Sequence, residues 1–420
     1  MRPRVSTLPI AGLVTAEFLS LLGNQVAAVA MPILVLHYTQ SPLVTGIASA
    51  GNVIPIVIAA IVGGKAIDRF GAWHLSVVAD LMSGLSVLAL PLAFKYFSRV
   101  PPGIVFLLVF IGALFDPTGV AARQTLVRGL SRLGGQPLKR INTFRGSLEN
   151  AADFIGPVIG VGLIASIGTI NTFFANAASF LLCASIFALA VPRKPSTSAT
   201  TSSDVLTGVR FIFGHPQLRT LAVFGLIGNF VILPFLALLL PVLATQVFGS
   251  TTLLGICLSA FGVSATVGAL SFSKLSSLFS RSLIFYGGLL TTASAIAFCG
   301  FFTTQFGVAF SSALAGLLLG ASNPLEQTIL QEETPKPLAG QVFTSLTAIR
   351  FASGPPGLLI AGALIELIGV KAVLVSGGGL LIIAAMLGWH RAPLQDTNRH
   401  PGRMDESASN KAALDLNKDS

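Results

Sequence analysis

Charge is scarce in this chain. Only 10% of its 420 residues are Asp, Glu, Lys or Arg, against 53% hydrophobic residues and a mean hydropathy of +0.82. So little polar surface cannot cover a water-soluble globule of this length, so the solvent for most of the chain is lipid. Cysteine is almost missing too. Cys183, Cys257 and Cys299 lie inside apolar stretches without motif spacing, which excludes a disulfide framework or thiolate metal set and leaves packing. The five histidines, His37, His74, His215, His390 and His400, are scattered at segment ends and loops. There is no His-Glu-x-x-His, no paired cysteine ligand set and no Gly-rich phosphate loop after a strand, so the sequence offers no metal, no cofactor and no nucleotide-driven engine. A membrane-embedded enzyme or scaffold stays in view only as an alternative.

What the chain does have is long apolar runs. At about 20 apolar residues per span, twelve segments are predicted, near 9–37, 43–64, 73–94, 103–126, 146–167 and 171–191, then 218–242, 252–273, 282–302, 306–330, 342–366 and 371–390. The first follows Met-Arg-Pro-Arg and is too long for a cleaved signal peptide, so it is expected to be a retained membrane helix. The 43 glycines and 23 prolines fit membrane helices, where neighbours re-satisfy freed backbone groups, and they predict kinks. If the N-terminus is cytoplasmic, 22 of the 26 Lys and Arg residues fall in inner loops and tails, six of them between Arg123 and Arg145. That asymmetry is the positive-inside signal and predicts both termini in the cytoplasm. The net charge of +10 then reports topology and not a nucleic-acid partner.

A polar, Ser/Thr-rich linker over 192–217 divides the spans into two sets of six, 1–191 and 218–390, and the tail from Arg391 to 420 is expected to be disordered. Leu206, Val209, Ile212 and Phe213 at helical spacing predict a short amphipathic helix on the inner leaflet at the end of that linker. The halves echo each other. Gly23-Asn24 matches Gly228-Asn229, Gly156-Pro157 matches Gly354-Pro355, and Asp116-Pro117 matches Asn323-Pro324, in order and at nearly constant offset. Such a duplication places a transport path near the bilayer midplane where the repeats meet.

Between the second and third spans the chain reads GGKAIDRFG, with Gly64, Asp68, Arg69 and Gly71 spaced as in the loop between helices 2 and 3 of the major facilitator superfamily. LLGNQVAAVAMPILVL, SPLVTGIASAGNVIP, FDPTGVAARQTL, NAASFLL and GVRFIFGHPQLR add to the resemblance, which covers nearly the whole chain. It is similar to the branch that includes macrolide-type drug exporters and the enterobactin exporter. The resemblance implies an all-α membrane protein of the bacterial cytoplasmic membrane, its twelve helices in two pseudo-symmetric six-helix bundles, exporting small amphipathic compounds of drug or siderophore type by proton-coupled antiport. Its partners would be cargo, protons and lipid, and it is expected to act as a monomer. The loop departs from the family pattern where two basic residues usually follow, here Ala72 and Trp73. Asp68 is expected near the start of the eleventh span, where a carboxylate favours a helix N-terminus; an ordinary charged turn is the other reading. In the fifth span Gly156, Pro157 and Gly160 partly match the antiporter motif, whose physical content is a kink and a small-residue packing face.

A charge inside the membrane costs at least a few kcal/mol, so Glu17 and Asp116 are the candidates for proton coupling. The alternative for Glu17 is an ion pair with Arg123 or Arg350, and for Asp116 a hinge residue that tidies the backbone opened by Pro117. Arg145, Glu149 and Asp153 recur every four residues on one face and predict an interfacial salt network. Asp80 is expected to join the gate around Asp68. Asn24, Gln25, Asn229, Glu326, Gln327 and Arg350 are candidate cavity residues, or else bonds between helices. An uptake facilitator for a small metabolite is the second functional reading; sparse polar side chains in the spans speak against it.

Overall fold

The computed structural model describes residues 8–97, 100–193, 205–335, 338–391 and 394. The N-terminal Met-Arg-Pro-Arg, most of the Ser/Thr linker and the predicted disordered tail lie outside the described residues. Among those described, all regular structure is helical: α1 (Leu8–Thr39), α2 (Pro42–Phe70), α3 (Ala72–Tyr96), α4 (Pro102–Gly134), α5 (Leu138–Ile167), α6 (Thr169–Ala190), α7 (Val205–Gly214), α8 (Pro216–Val247), α9 (Thr251–Leu278), α10 (Arg281–Phe301), α11 (Gln305–Glu333), α12 (Ala339–Ala352), α13 (Gly354–Ile368) and α14 (Val370–Arg391). Among the described residues, ten stretches are long and apolar enough to cross a membrane, one of them running through α12 and α13; α2 and α5 contribute shorter apolar stretches, Pro42–Ile56 and Ile155–Ile167.

The turns are tight because glycine makes them so. Gly71 both ends α2 and begins α3 at φ +79°, a backbone conformation that a side chain disfavours, and its N–H closes onto the Ile67 carbonyl. Gly168 after α5 and Gly369 after α13 repeat the device at φ +81° and +82°, a further echo between the halves. Proline shapes the interiors. α4 and α5 run unbroken through Pro117 and Pro157, whereas the eleventh span breaks at Ser353, where Pro355 and Pro356 together withhold two N–H groups. The Ser353 hydroxyl there donates to the Leu226 carbonyl of α8 at 2.6 Å. α8 carries two π-helical segments, Phe235–Leu239 and Leu243–Val247, flanking Pro241.

One expectation needs correction. The basic stretch from Arg123 to Arg145 is not a loop: α4 continues to Gly134, α5 begins at Leu138, and only three residues separate them. The apolar window closes early because Arg123 is counted as a solvent charge, yet it is 1% exposed and ion-paired.

An even number of crossings returns the chain to the side on which it began, so the bundle has a terminal end and a far end. The packing differs between them. At the far end one continuous apolar core joins the halves: Val29 to Leu36 of α1, Val53 of α2, Leu90 of α3 and Val161 of α5 share it with Phe235 to Ala244 of α8 and Leu358 of α13. At the terminal end the first half has its own cluster around Leu13, Trp73, Leu126 and Phe187, and the second half another around Ile212, Leu218 and Val342. Among the described residues, the buried apolar cluster that the two halves share lies toward the far end. α7 belongs to the second terminal cluster: Ile212 is buried and Gly208 lies against Gln341 and Ser345 of α12, while Leu206 and Phe213 remain exposed.

Candidate functional site

Two cavities occupy equivalent places in the halves. The first, about 190 Å³, lies among α1, α2, α3, α4 and α6, lined by Asn24, Asn52, Ser83 and Asp116 with an apolar wall that includes Met31 and Phe180. The second, about 120 Å³, lies among α8, α10, α11 and α12, and is lined by Asn229, Asn323, Glu326 and Arg350. The repeat explains the placement, since Asn24 corresponds to Asn229 and Asp116 to Asn323.

The charges differ in how they are matched. Arg145 of α5 grips the Glu17 carboxylate of α1 through two nitrogens. Asp80 of α3 pairs with Arg123 of α4, both 1% exposed, and takes a weak hydrogen bond from Ser20 at 3.5 Å. Arg350 of α12 pairs with Glu326 of α11. Asp116 has no salt bridge among the described residues; its Oδ2 accepts from Asn24 Nδ2 at 2.9 Å. Three of these four acids are neutralised within the bundle, and the fourth faces a cavity with an amide for company.

Several expectations change accordingly. The mate of Glu17 is Arg145, not Arg123 or Arg350, because α5 begins eight residues earlier than its apolar run and carries Arg145 to the level of Glu17. Arg145 thus reaches from α5 to α1, while the Asp153 side chain lies outside those described. Asp80, expected beside Asp68, is buried against Arg123, and the Asp68 side chain with which it was to share a gate lies outside those described. The Asp116 side chain reaches across to α1 instead of satisfying its own helix. Asn24, Asn229, Glu326 and Arg350 do line the cavities. Gln25 instead packs in the seam with α5, where a Cβ on Gly156 would stand 2.3 Å from the Gln25 Cβ, and Gln327 is exposed. Gly160 likewise sits against Val26, so the Gly156-Pro157-Gly160 face is a close α1–α5 contact.

GGKAIDRFG is not a loop between helices but the last turns of α2, which runs to Phe70 and leaves Gly71 alone as the link to α3; the side chain of Asp68 and the surroundings of Gly64 lie outside the described residues, and Arg69 is exposed. Trp73, standing where a basic residue is usual, is buried, donates to the Val191 carbonyl at 2.8 Å and carries the Arg193 guanidinium over its ring at 4.4 Å. The Asp80–Arg123 pair escaped sequence reasoning. Its signal was available, because Arg123 follows Asp116 by seven residues, on the same helical face.

Comparison with known proteins agrees with this geometry. The family described as Major Facilitator Superfamily matches residues 13–357. The chain is 30% identical over 364 residues to the multidrug efflux pump Tap of Mycolicibacterium fortuitum, covering 84% of this chain and 88% of Tap. It is 25% identical over 401 residues to the enterobactin exporter EntS of Escherichia coli, covering 94% of each. Among solved structures, the nucleoside transporter NupG superposes with a TM-score of 0.75 at 12% identity, over 91% of this chain and 99% of that one. A D-xylose-proton symporter superposes at 0.68 and 14% identity, over 93% and 98%. At such identities these two speak to fold alone.

Proposed function

The chain belongs to the major facilitator superfamily, a transporter and not an enzyme, and from that premise we propose that it exports small amphipathic compounds, of drug or siderophore type, in exchange for protons. The observation that carries the coupling is the matching of charge. A proton carrier must exist both charged and neutral during the cycle, and an acid that serves as an arginine's counter-ion would leave a cation unpaired inside the bundle each time it was neutralised. Glu17, Asp80 and Glu326 are so clamped; Asp116 is bonded to a neutral amide and faces the larger of the two cavities. Asp116 is therefore the proton site and Glu17 a structural member of the α1–α5 contact. In this reading the terminal end faces the cytoplasm, which the exposed Arg69, Arg140, Arg210 and Arg391 there support.

The apolar walls favour amphipathic cargo over sugars or nucleosides, which need many polar contacts. Tap and EntS, the named relatives, are a multidrug pump and a siderophore exporter. The test is a deletion strain complemented with wild type, Asp116→Asn or Glu17→Gln and challenged with macrolides, dyes and catecholate siderophores. Restored tolerance by wild type, none by Asp116→Asn and partial restoration by Glu17→Gln is expected. Unchanged efflux of every compound, with growth failing on one nutrient, would instead indicate uptake.

A further inference from the structure

Beside the shared apolar core, one charged side chain among the described residues bonds across the halves at the far end. Across the far ends of the helices and the turns that join them, Glu366 is the one acid in the sequence. It stands near the C-terminus of α13, in the second half, and its Oε1 accepts from the Ser41 hydroxyl and from the Leu43 N–H at 3.3 Å, both in the first half. Those donors are the opening of α2. Ser41 is its N-cap, the Ser41 oxygen itself taking the Val44 N–H at 3.2 Å, and Pro42 has no N–H to offer. The Leu43 N–H is thus the remaining orphan of the first residues, and only a group from the other half satisfies it. A carboxylate here also meets the positive end of the α2 dipole.

The backbones are built to allow this approach. A Cβ on Gly362 would lie 3.0 Å from the Leu43 Cα and 3.1 Å from the Pro42 carbonyl oxygen, and one on Gly46 would lie 2.7 Å from the Leu358 carbonyl oxygen. Helices that close can separate without tearing side-chain interdigitation, and the bond that parts is a charge-assisted one at an exposed rim. α2 and the eleventh span run antiparallel, so a carboxylate expected from Asp68 at one end of the pair has its counterpart in Glu366 at the other.

We propose that Glu366 is the residue that holds the far end shut, a positioning residue whose bond to the N-terminus of α2 sets the balance between the conformation seen here and one open at the far end. This rests on the transport reading above, in which the halves rock against each other. Spin labels at His37→Cys and Gln246→Cys, exposed far-end positions on opposite halves, report the separation; the native cysteines are buried and stay unlabelled. The full chain in lipid nanodiscs is compared as wild type, Glu366→Gln, Glu366→Ala, Ser41→Ala and Ser41→Ala/Glu366→Ala. Glu366→Ala should raise the ratio of long- to short-distance populations about tenfold, Glu366→Gln less, and the double variant no more than Glu366→Ala, since both remove one interaction. An unchanged distribution in Glu366→Ala, or in isosteric Glu366→Gln should the alanine variant not fold, overturns the latch. Drug efflux measured on the same proteins separates the two ideas: a wild type that moves no drug defeats the transport reading, whereas normal efflux with unmoved distances defeats only the latch.

Discussion

The side chains that matter most here are distinguished by their partners. Asp80 and Arg123 are sealed in the first bundle with Asp80 Oδ2 and Arg123 Nε and Nη1 unbonded among the described residues, so neither tolerates loss of the other. Arg123→Met alone should cost about 3–5 kcal/mol, because an uncompensated carboxylate remains buried, while Asp80→Leu/Arg123→Met should recover most of it; thermal unfolding of the purified variants in detergent measures both. Equal loss in single and double variants would mean that the pair does more than neutralise itself. At this scale the sequence was half legible. Asp116 and Asn24 were visible because a polar side chain inside an apolar run has few innocent explanations. Arg123 was not, because hydropathy treats a paired arginine and a solvated one alike. Nor was the choice of Arg145 by Glu17, which depends on how α1 and α5 meet.

Among the elements, helix ends were easier to foresee than helix interiors. Gly71, Gly168 and Gly369 stop helices for a local reason that any reader of the sequence can apply. That Pro157 leaves α5 whole while Pro355-Pro356 splits the eleventh span follows from counting lost N–H groups, but the π-helical segments of α8 reflect what packs around Pro241 and have no local signature. Helix contacts are tightest in the second half, where Gly316 and Gly320 of α11 press on α9: Cβ atoms there would come within 2.2 Å of the Phe261 carbonyl oxygen and 2.0 Å of that of Ala265. Gly320→Val should therefore destabilise the second bundle by about 1–3 kcal/mol, seen as a lowered unfolding temperature, with Gly379→Val, which meets nothing within 4 Å, as the near-neutral control.

For the molecule as a whole, the distribution of core is the functional statement. A transporter must be sealed at one end and able to part at the other, and among the described residues a buried cluster shared between the halves toward the far end, beside one cluster in each half toward the terminal end, fits that form. The duplication was read from three dipeptide matches; Asn24 and Asp116 line one cavity, and their counterparts Asn229 and Asn323 line the other. The end at which the halves are joined was not legible, since it depends on contacts between residues some 200 positions apart. If the terminal end is cytoplasmic, an epitope placed after Ser420 should be cleaved by protease in everted membrane vesicles and protected in intact spheroplasts. The central claim is that proton flow through Asp116 drives efflux. It is tested most directly in proteoliposomes bearing an imposed pH gradient, by following accumulation of a fluorescent dye or macrolide alongside the internal pH. Wild type should accumulate cargo and release protons together, with both stopped by an uncoupler, and Asp116→Asn should do neither while keeping its fold. Gradient-driven accumulation by Asp116→Asn at the wild-type rate would contradict the account.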